Sequence, residues 1–119
     1  MNKEEIMKQH ATQLVDMMAE DNRDINSVRK KIKEIISDDF DRDFLMFELD
    51  HEKIEREYKI LNIEYESFKD LMDIRIQESE NKKAVAWPNL IGIIINDANT
   101  MKKELNAIFD ELYTLIKEV

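Results

Sequence analysis

The feature that most constrains the fold is a stripe of apolar residues spaced alternately four and three positions apart between residues 40 and 72. This heptad-like spacing is typical of a long α-helix that packs lengthwise against another helix. It predicts one helix over residues 38–80, about 60 Å long at the helical rise of 1.5 Å per residue. We call this set, interrupted only by its histidine, the heptad stripe; it consists of Phe40, Phe44, Phe47, His51, Ile54, Tyr58, Leu61, Tyr65, Phe68 and Met72.

A second long helix is predicted over residues 88–118. The segment 84–97, AVAWPNLIGIIIND, contains the only Trp, Pro and Gly of the chain. Pro88 suits a first helical turn, where its missing N–H costs nothing. A strand over 84–95 is the alternative, because isoleucine is β-branched and Gly92 is a poor helix former. Helical spacing continues from residue 90 through Leu90, Ile94, Ala98, Met101, Leu105, Ile108, Leu112, Leu115 and Val119, with a second apolar row of Phe109, Tyr113 and Ile116.

The first 36 residues predict two short helices, because apolar residues recur there at helical spacing. Asp24 is the predicted N-cap of the second one, and Ser37, Asp38 and Asp39 supply a cap for the long helix that follows. The predicted buried positions are Ile6, His10, Leu14, Met17 and Met18 in the first helix, and Ile25, Val28, Ile32 and Ile35 in the second.

These elements predict an all-α, single-domain protein over residues 1–119. The two long helices would form an antiparallel, coiled-coil-like hairpin, because a short polar link joins them. The two short helices (1–36) would pack near its open end. One glycine and one proline in 119 residues are too few for the turns of a multi-stranded sheet.

The same composition restricts location and partners. The chain contains no cysteine, which excludes disulfides and thiolate metal sites. The longest apolar run is shorter than the ~20 residues that span a bilayer, and no signal peptide is recognisable. A soluble, cytoplasmic protein without a membrane partner is therefore expected.

Charge is concentrated in the middle of the chain. Residues 37–80 contain fifteen acidic and six basic residues, which accounts for the whole net charge of −9. Nucleic-acid binding is not expected from such a field. The acidic face, defined by Asp50, Glu57, Glu64 and Asp70, could instead imitate a phosphate backbone. Its acidic neighbours are Asp43, Glu48, Glu52, Glu55, Glu66 and Asp73. In size and charge alone, the chain resembles small acidic phage inhibitors that occupy the basic groove of a nucleic-acid enzyme.

Candidate metal sites are incomplete. Asp39, Asp41 and Asp43 match the first three ligand positions of an EF-hand loop, but Phe44 stands where the loop needs glycine and Asp50 where it needs a bidentate glutamate. Glu48-x-x-His51 has the spacing of half a di-iron site, without the second such pair. We expect no metal, no cofactor and no catalysis, since none of the serines lies in a nucleophile elbow. His51 is interpreted as a core histidine or as a polar contact that sets the register of the helix pair and responds to pH.

The surface predicted to bind partners is the far tip of the hairpin. Its spare apolar residues are Ile60, Ile63, Leu71, Ile74, Trp87, Ile91 and Ile95. Soluble monomers seldom expose such a patch, so self-association or a partner protein would cover it. The alternative is that the two short helices fold over the tip. A possible basic contact face on the second short helix consists of Arg29, Lys30, Lys31 and Lys33.

The favoured functional hypothesis is thus a non-enzymatic, homo-oligomeric helical protein that binds or blocks another protein. Two alternatives stay open. One is the acidic mimic of nucleic acid acting through residues 37–80. The other is an oligomeric accessory factor of recombination or replication that uses the basic contact face.

Overall fold

The computed structural model describes the backbone of residues 2–81 and 87–119 and the side chains of residues 2–77 and 89–119. Four helices occupy the described chain: α1 (Lys3–Ala19), α2 (Ile25–Ile35), α3 (Asp39–Asn81) and α4 (Trp87–Lys117). The described residues form no strand, so the all-α prediction is confirmed and residues 87–95 are helical. Residues 84–86 of the alternative strand lie outside the described residues.

Side-chain caps begin three of the helices. The Asn2 side chain accepts a hydrogen bond from the Glu5 N–H at 2.8 Å at the start of α1, and Asp24 accepts one from Asn26 at 3.0 Å at the start of α2. Asp38 accepts one from the Asp41 N–H at 2.8 Å at the start of α3. These bonds satisfy amide hydrogens that have no partner within the helix. The predicted caps at Asp24 and Asp38 are confirmed.

The chain folds into two compact units, and the first unit consists of Met1–Glu55 and Leu105–Val119. It contains α1, α2, the beginning of α3 and the end of α4. Apolar side chains from all four helices form its core. The largest fully buried ones are Phe109, Leu14, Met18, Ile32, Leu45, Leu49, Leu112, Ile116, Val15 and Val28.

The second unit is Arg56–Glu104, formed by the remaining parts of α3 and α4. Its buried apolar side chains, among those described, are Ile60, Leu71 and Ala98. Many other large apolar side chains of this unit are exposed. They are Tyr58, Leu61, Ile63, Tyr65, Met72, Ile74, Ile76, Ile91, Ile93 and Ile95.

The buried face of α1 differs from the predicted one by about one residue. Ile6 is 40% exposed and Met17 is half-buried, whereas Met7, Ala11 and Val15 are buried. Both rows fit a helical period, and only the packing of the other helices decides which of them is covered. On α2 the predicted positions Val28, Ile32 and Ile35 are buried, as expected, whereas Ile25 is only half-buried.

The heptad stripe lies on one long helix, α3, as predicted, but the expectation that the stripe faces the core is wrong. Phe40, Phe47 and Ile54 in the first unit are 60–66% exposed, and most stripe members in the second unit are exposed as well. In the first unit the opposite side of α3 is buried instead, and it is rich in carboxylates. The buried side chains there are Asp41, Leu45, Glu48, Leu49 and Glu52.

None of the helices combines, over the residues that the structure describes, the length and the hydrophobicity that a bilayer crossing requires.

Candidate interaction surfaces

Polar side chains from α1 decide which face of α3 is buried in the first unit. The Lys3 ammonium lies 2.8 Å from the Asp41 carboxylate, and Thr12 donates a hydrogen bond to Glu52 at 3.2 Å. Buried carboxylates need such partners because burial removes their water. The acidic side of α3 therefore packs toward α1, and the aromatic side turns away from the core.

Asp41 is the most strongly anchored of these carboxylates. Lys3 and Ser37 donate hydrogen bonds to it and lower its pKa from 3.8 to about 2. Since the pKa is lower in the folded chain, the contribution of Asp41 to stability is fully present above about pH 3.8. It is lost as the pH falls through about 2. This carboxylate of the partial EF-hand pattern thus connects the starts of α1 and α3.

The outward side of α3 in the first unit carries a cluster of aromatic and aliphatic side chains, which are exposed except for the half-buried Phe44. We call it the phenylalanine face and define it by Phe40, Phe44, Phe47 and Ile54. The rings of Phe40 and Phe44 meet edge to face, with centroids 5.8 Å apart, and the Lys3 ammonium lies 4.8 Å from the Phe40 centroid. The face is therefore ordered by its own contacts, although Phe47 and Ile54 remain about two-thirds exposed.

A groove of about 470 Å³ runs along this face, between α1 and α3. Phenylalanines form its floor and carboxylates stand beside them. The lining residues are Glu4, Phe40, Asp43, Phe44, Phe47 and Glu48. The combination of apolar floor and acidic edges suits a ligand that is itself apolar on one side and basic at its borders.

His51 lies within the heptad stripe, but it is not a core histidine. Its side chain is 54% exposed, and Nδ1 lies 3.5 Å from the Glu55 carboxylate. The other histidine, His10, is half-buried in α1. Burial lowers the pKa of His10, and the nearby Lys31 ammonium lowers it further. Nowhere among the described side chains do three or more potential metal ligands stand together.

The acidic face is not a uniform solvated surface. Asp50 accepts a hydrogen bond from the Tyr113 hydroxyl at 2.5 Å, and Glu64 lies 3.9 Å from the Lys102 ammonium. Glu57 is half-buried and Asp70 is exposed. The neighbouring Glu48 and Glu52, expected on this face, are buried on the α1 side of α3.

The basic contact face is divided between solvent and the rest of the first unit. Lys30 and Lys33 are exposed. Arg29 lies 3.6 Å from the Glu118 carboxylate, and Lys31 is half-buried near His10. Two of the four basic residues thus interact within the chain.

The predicted tip residues also divide into two groups. Ile60 and Leu71 are buried within the second unit, so they cannot contribute to an exposed surface there. Ile63, Ile74, Ile91 and Ile95 are 39–52% exposed. The side chain of Trp87 lies outside the described residues. Ile93 of the same helix is 55% exposed as well. Sequence reasoning missed the phenylalanine face as a surface.

Comparisons with known proteins place the chain in no family: no family profile matches it, and neither a curated protein nor a solved structure is significantly similar to it.

Proposed function

We propose that this chain is a non-enzymatic, self-associating helical protein whose role is to bind another protein. The observation that carries the proposal is the large exposed apolar surface of the second unit. Ile91, Ile93 and Ile95 are 39–55% exposed within a segment, 87–96, that contains no charged residue. An apolar patch of this kind favours association, and no like charges in that segment oppose the approach of a second copy.

The hairpin is part of this proposal. In the first unit, Tyr113 of α4 contacts Asp50 of α3, and Arg42 of α3 donates a hydrogen bond to the Val119 carbonyl. The later residue of this C-terminal pair, Val119, contacts the earlier residue of α3, Arg42, whereas the earlier one, Tyr113, contacts the later residue, Asp50. This order supports antiparallel helices, which would place the beginning of α4 beside the end of α3.

Binding is favoured over catalysis because two of the three carboxylates that are buried among the described residues have structural partners. Asp41 is held by Lys3 and Ser37, and Glu52 by Thr12. The mimic of nucleic acid is weakened by the same kind of observation, since Asp50 and Glu64 already interact with Tyr113 and Lys102. An accessory factor of recombination is not favoured by any contact of the basic contact face.

Sedimentation equilibrium of the wild-type chain and of Ile91→Asp and Ile95→Asp tests the self-association. We expect the wild type to form an oligomer and each variant to lower the oligomer order. Helix content, measured by circular dichroism, should stay nearly unchanged because both side chains are partly exposed. Asn99→Asp is the matched control: it adds the same charge to an exposed position of α4 and should leave the oligomer intact.

Two outcomes would contradict the proposal. A wild-type chain that is monomeric at all accessible concentrations removes self-association. A collapse of helicity in Ile91→Asp would show that this side chain packs within its own chain.

A further inference from the structure

The phenylalanine face is a surface distinct from the isoleucines of α4, and its charge pattern decides what can cover it. Its apolar positions, together with the intervening His51, recur with alternating spacings of four and three. This is the spacing that lets a second helix pack its own apolar seam into them. Phe40, Phe47 and Ile54 are 60–66% exposed, so the positions are open to a partner.

Acidic residues border this seam on both sides. On one side of the seam, Asp43 and Asp50 come directly before the stripe residues Phe44 and His51. On the other side, Glu48 and Glu55 come directly after Phe47 and Ile54. Asp43, Asp50 and Glu55 are exposed, whereas Glu48 is buried, so the first three form the acidic border that a partner can reach. In helix pairs, residues at these bordering positions face those of the partner and select it by charge.

A second copy of the chain does not fit this seam. In a parallel pair, Asp50 would face Glu55 of the other copy. In an antiparallel pair, Asp43 and Asp50 would face each other. Like charges at these positions destabilise a helix pair in either direction.

We infer that the phenylalanine face binds an amphipathic helix of another protein, with apolar residues along its seam and lysine or arginine at its borders. Such a helix buries the exposed aromatic rings and places its cations opposite Asp43, Asp50 and Glu55. Aromatic side chains that become fully covered dominate binding energy, and charge complementarity at the rim speeds association and selects the partner. The inference rests on the proposed protein-binding function and adds the chemistry of the partner.

The test uses a labelled helical peptide, about three heptads long, with leucine at its seam and lysine at its borders. A second peptide carries glutamate at the same border positions. Fluorescence anisotropy with the full chain should show that the lysine peptide binds at least about tenfold more tightly than the glutamate peptide. The difference should shrink when salt rises from about 0.1 M to about 1 M, which shortens the Debye length from about 10 Å to about 3 Å.

Two variants locate the site. Phe47→Ser should lower the affinity for the lysine peptide by about tenfold or more, which is the loss typical of a removed aromatic anchor. Asp43→Lys should lower the affinity for the lysine peptide and raise the affinity for the glutamate peptide. Ile76→Ser, which also removes an exposed apolar side chain but from the second unit, should leave both affinities unchanged.

Equal binding of the two peptides, or an unchanged affinity in Phe47→Ser, would overturn the inference. A drop in oligomer order caused by Phe47→Ser in the absence of peptide would also overturn it, because the occupant would then be a second copy. Peptide binding and the Ile91→Asp sedimentation experiment are separate measurements. If the lysine peptide does not bind but Ile91→Asp still dissociates the oligomer, the inference is rejected and the proposed self-association is retained.

Discussion

Replacing two phenylalanines separately by alanine tests which side of α3 faces the core. Phe109 of α4 is fully buried in the first unit, whereas Phe47 of the phenylalanine face is 66% exposed. Removal of a fully buried phenylalanine costs about 3–5 kcal/mol, from lost transfer energy and the cavity that remains. Phe109→Ala should therefore remove a large part of a typical stability of about 5–15 kcal/mol.

The same chemical change at Phe47 should cost little. Full burial of a phenylalanine contributes about 1.5–3 kcal/mol, and one third of that is about 0.5–1 kcal/mol. Alanine recovers part of this loss, because its helix propensity exceeds that of phenylalanine by about half a kcal/mol. We expect Phe47→Ala to change the free energy of unfolding by about 0.5 kcal/mol or less.

Urea unfolding followed by circular dichroism measures both variants. Each should be examined at two protein concentrations, because self-association adds a concentration-dependent contribution to stability. A cost at Phe47 that is comparable to the cost at Phe109 and independent of concentration would refute the reasoning. It would mean that the heptad stripe is an intramolecular seam, as the spacing alone predicts.

The remaining predictions concern a cap, a glycine and a titration. Asp24→Ala should destabilise the chain by about 1 kcal/mol in urea unfolding, because the Asn26 amide loses its acceptor at the start of α2. Gly92→Ala should raise the free energy of unfolding by about 0.5–1 kcal/mol, because alanine is the better helix former and, among the described residues, no atom apart from the nearby backbone of α4 and the two adjacent residues lies within 4 Å of the added Cβ. A lower free energy of unfolding would contradict this. Asp41→Asn should destabilise the chain at pH 6, and the difference from wild type should shrink as the pH falls from about 3.8 toward about 2, where the carboxyl of the wild type becomes protonated. A difference that stays constant over this range would contradict the role of the charge, and Asp43→Asn, at an exposed position of the same helix, serves as the control.

The helices could be predicted from the sequence because each has clear local signals. The spacing of apolar residues identified all four of them, and Asp24 and Asp38 supplied recognisable caps. The buried face of α4 also follows its pattern, with Leu105, Leu112 and Leu115 in the core. These features depend on residues that are neighbours along the chain, which is the information that a single sequence contains.

The orientation of α3 could not be predicted in this way. Its sequence offers two faces, one aromatic and one with carboxylates among leucines, and a pattern assigns carboxylates to solvent. The partner of Glu52 is Thr12, forty positions earlier in the sequence. The partner of Asp41 is Lys3, at the other end of the N-terminal region. Pairing over such separations is decided by packing and leaves no periodic signal.

These polar contacts give a physical reason for the exposure of the phenylalanine face. Turning α3 so that the exposed members of the phenylalanine face became buried would gain about 1–2 kcal/mol each, two-thirds of the value for full burial. It would also move Leu45 and Leu49, which are fully buried, into solvent at a cost of about 1.5–3 kcal/mol each, so the two apolar terms roughly cancel. The same turn would break the contacts of Asp41 with Lys3 and of Glu52 with Thr12, which contribute about 0.5–1.5 kcal/mol each, and this loss favours the orientation with the aromatic rings outside. An apolar seam maintained in solvent by specific polar contacts is a surface available to a partner helix, and the contacts that expose it are separate from the acidic border that would select that partner.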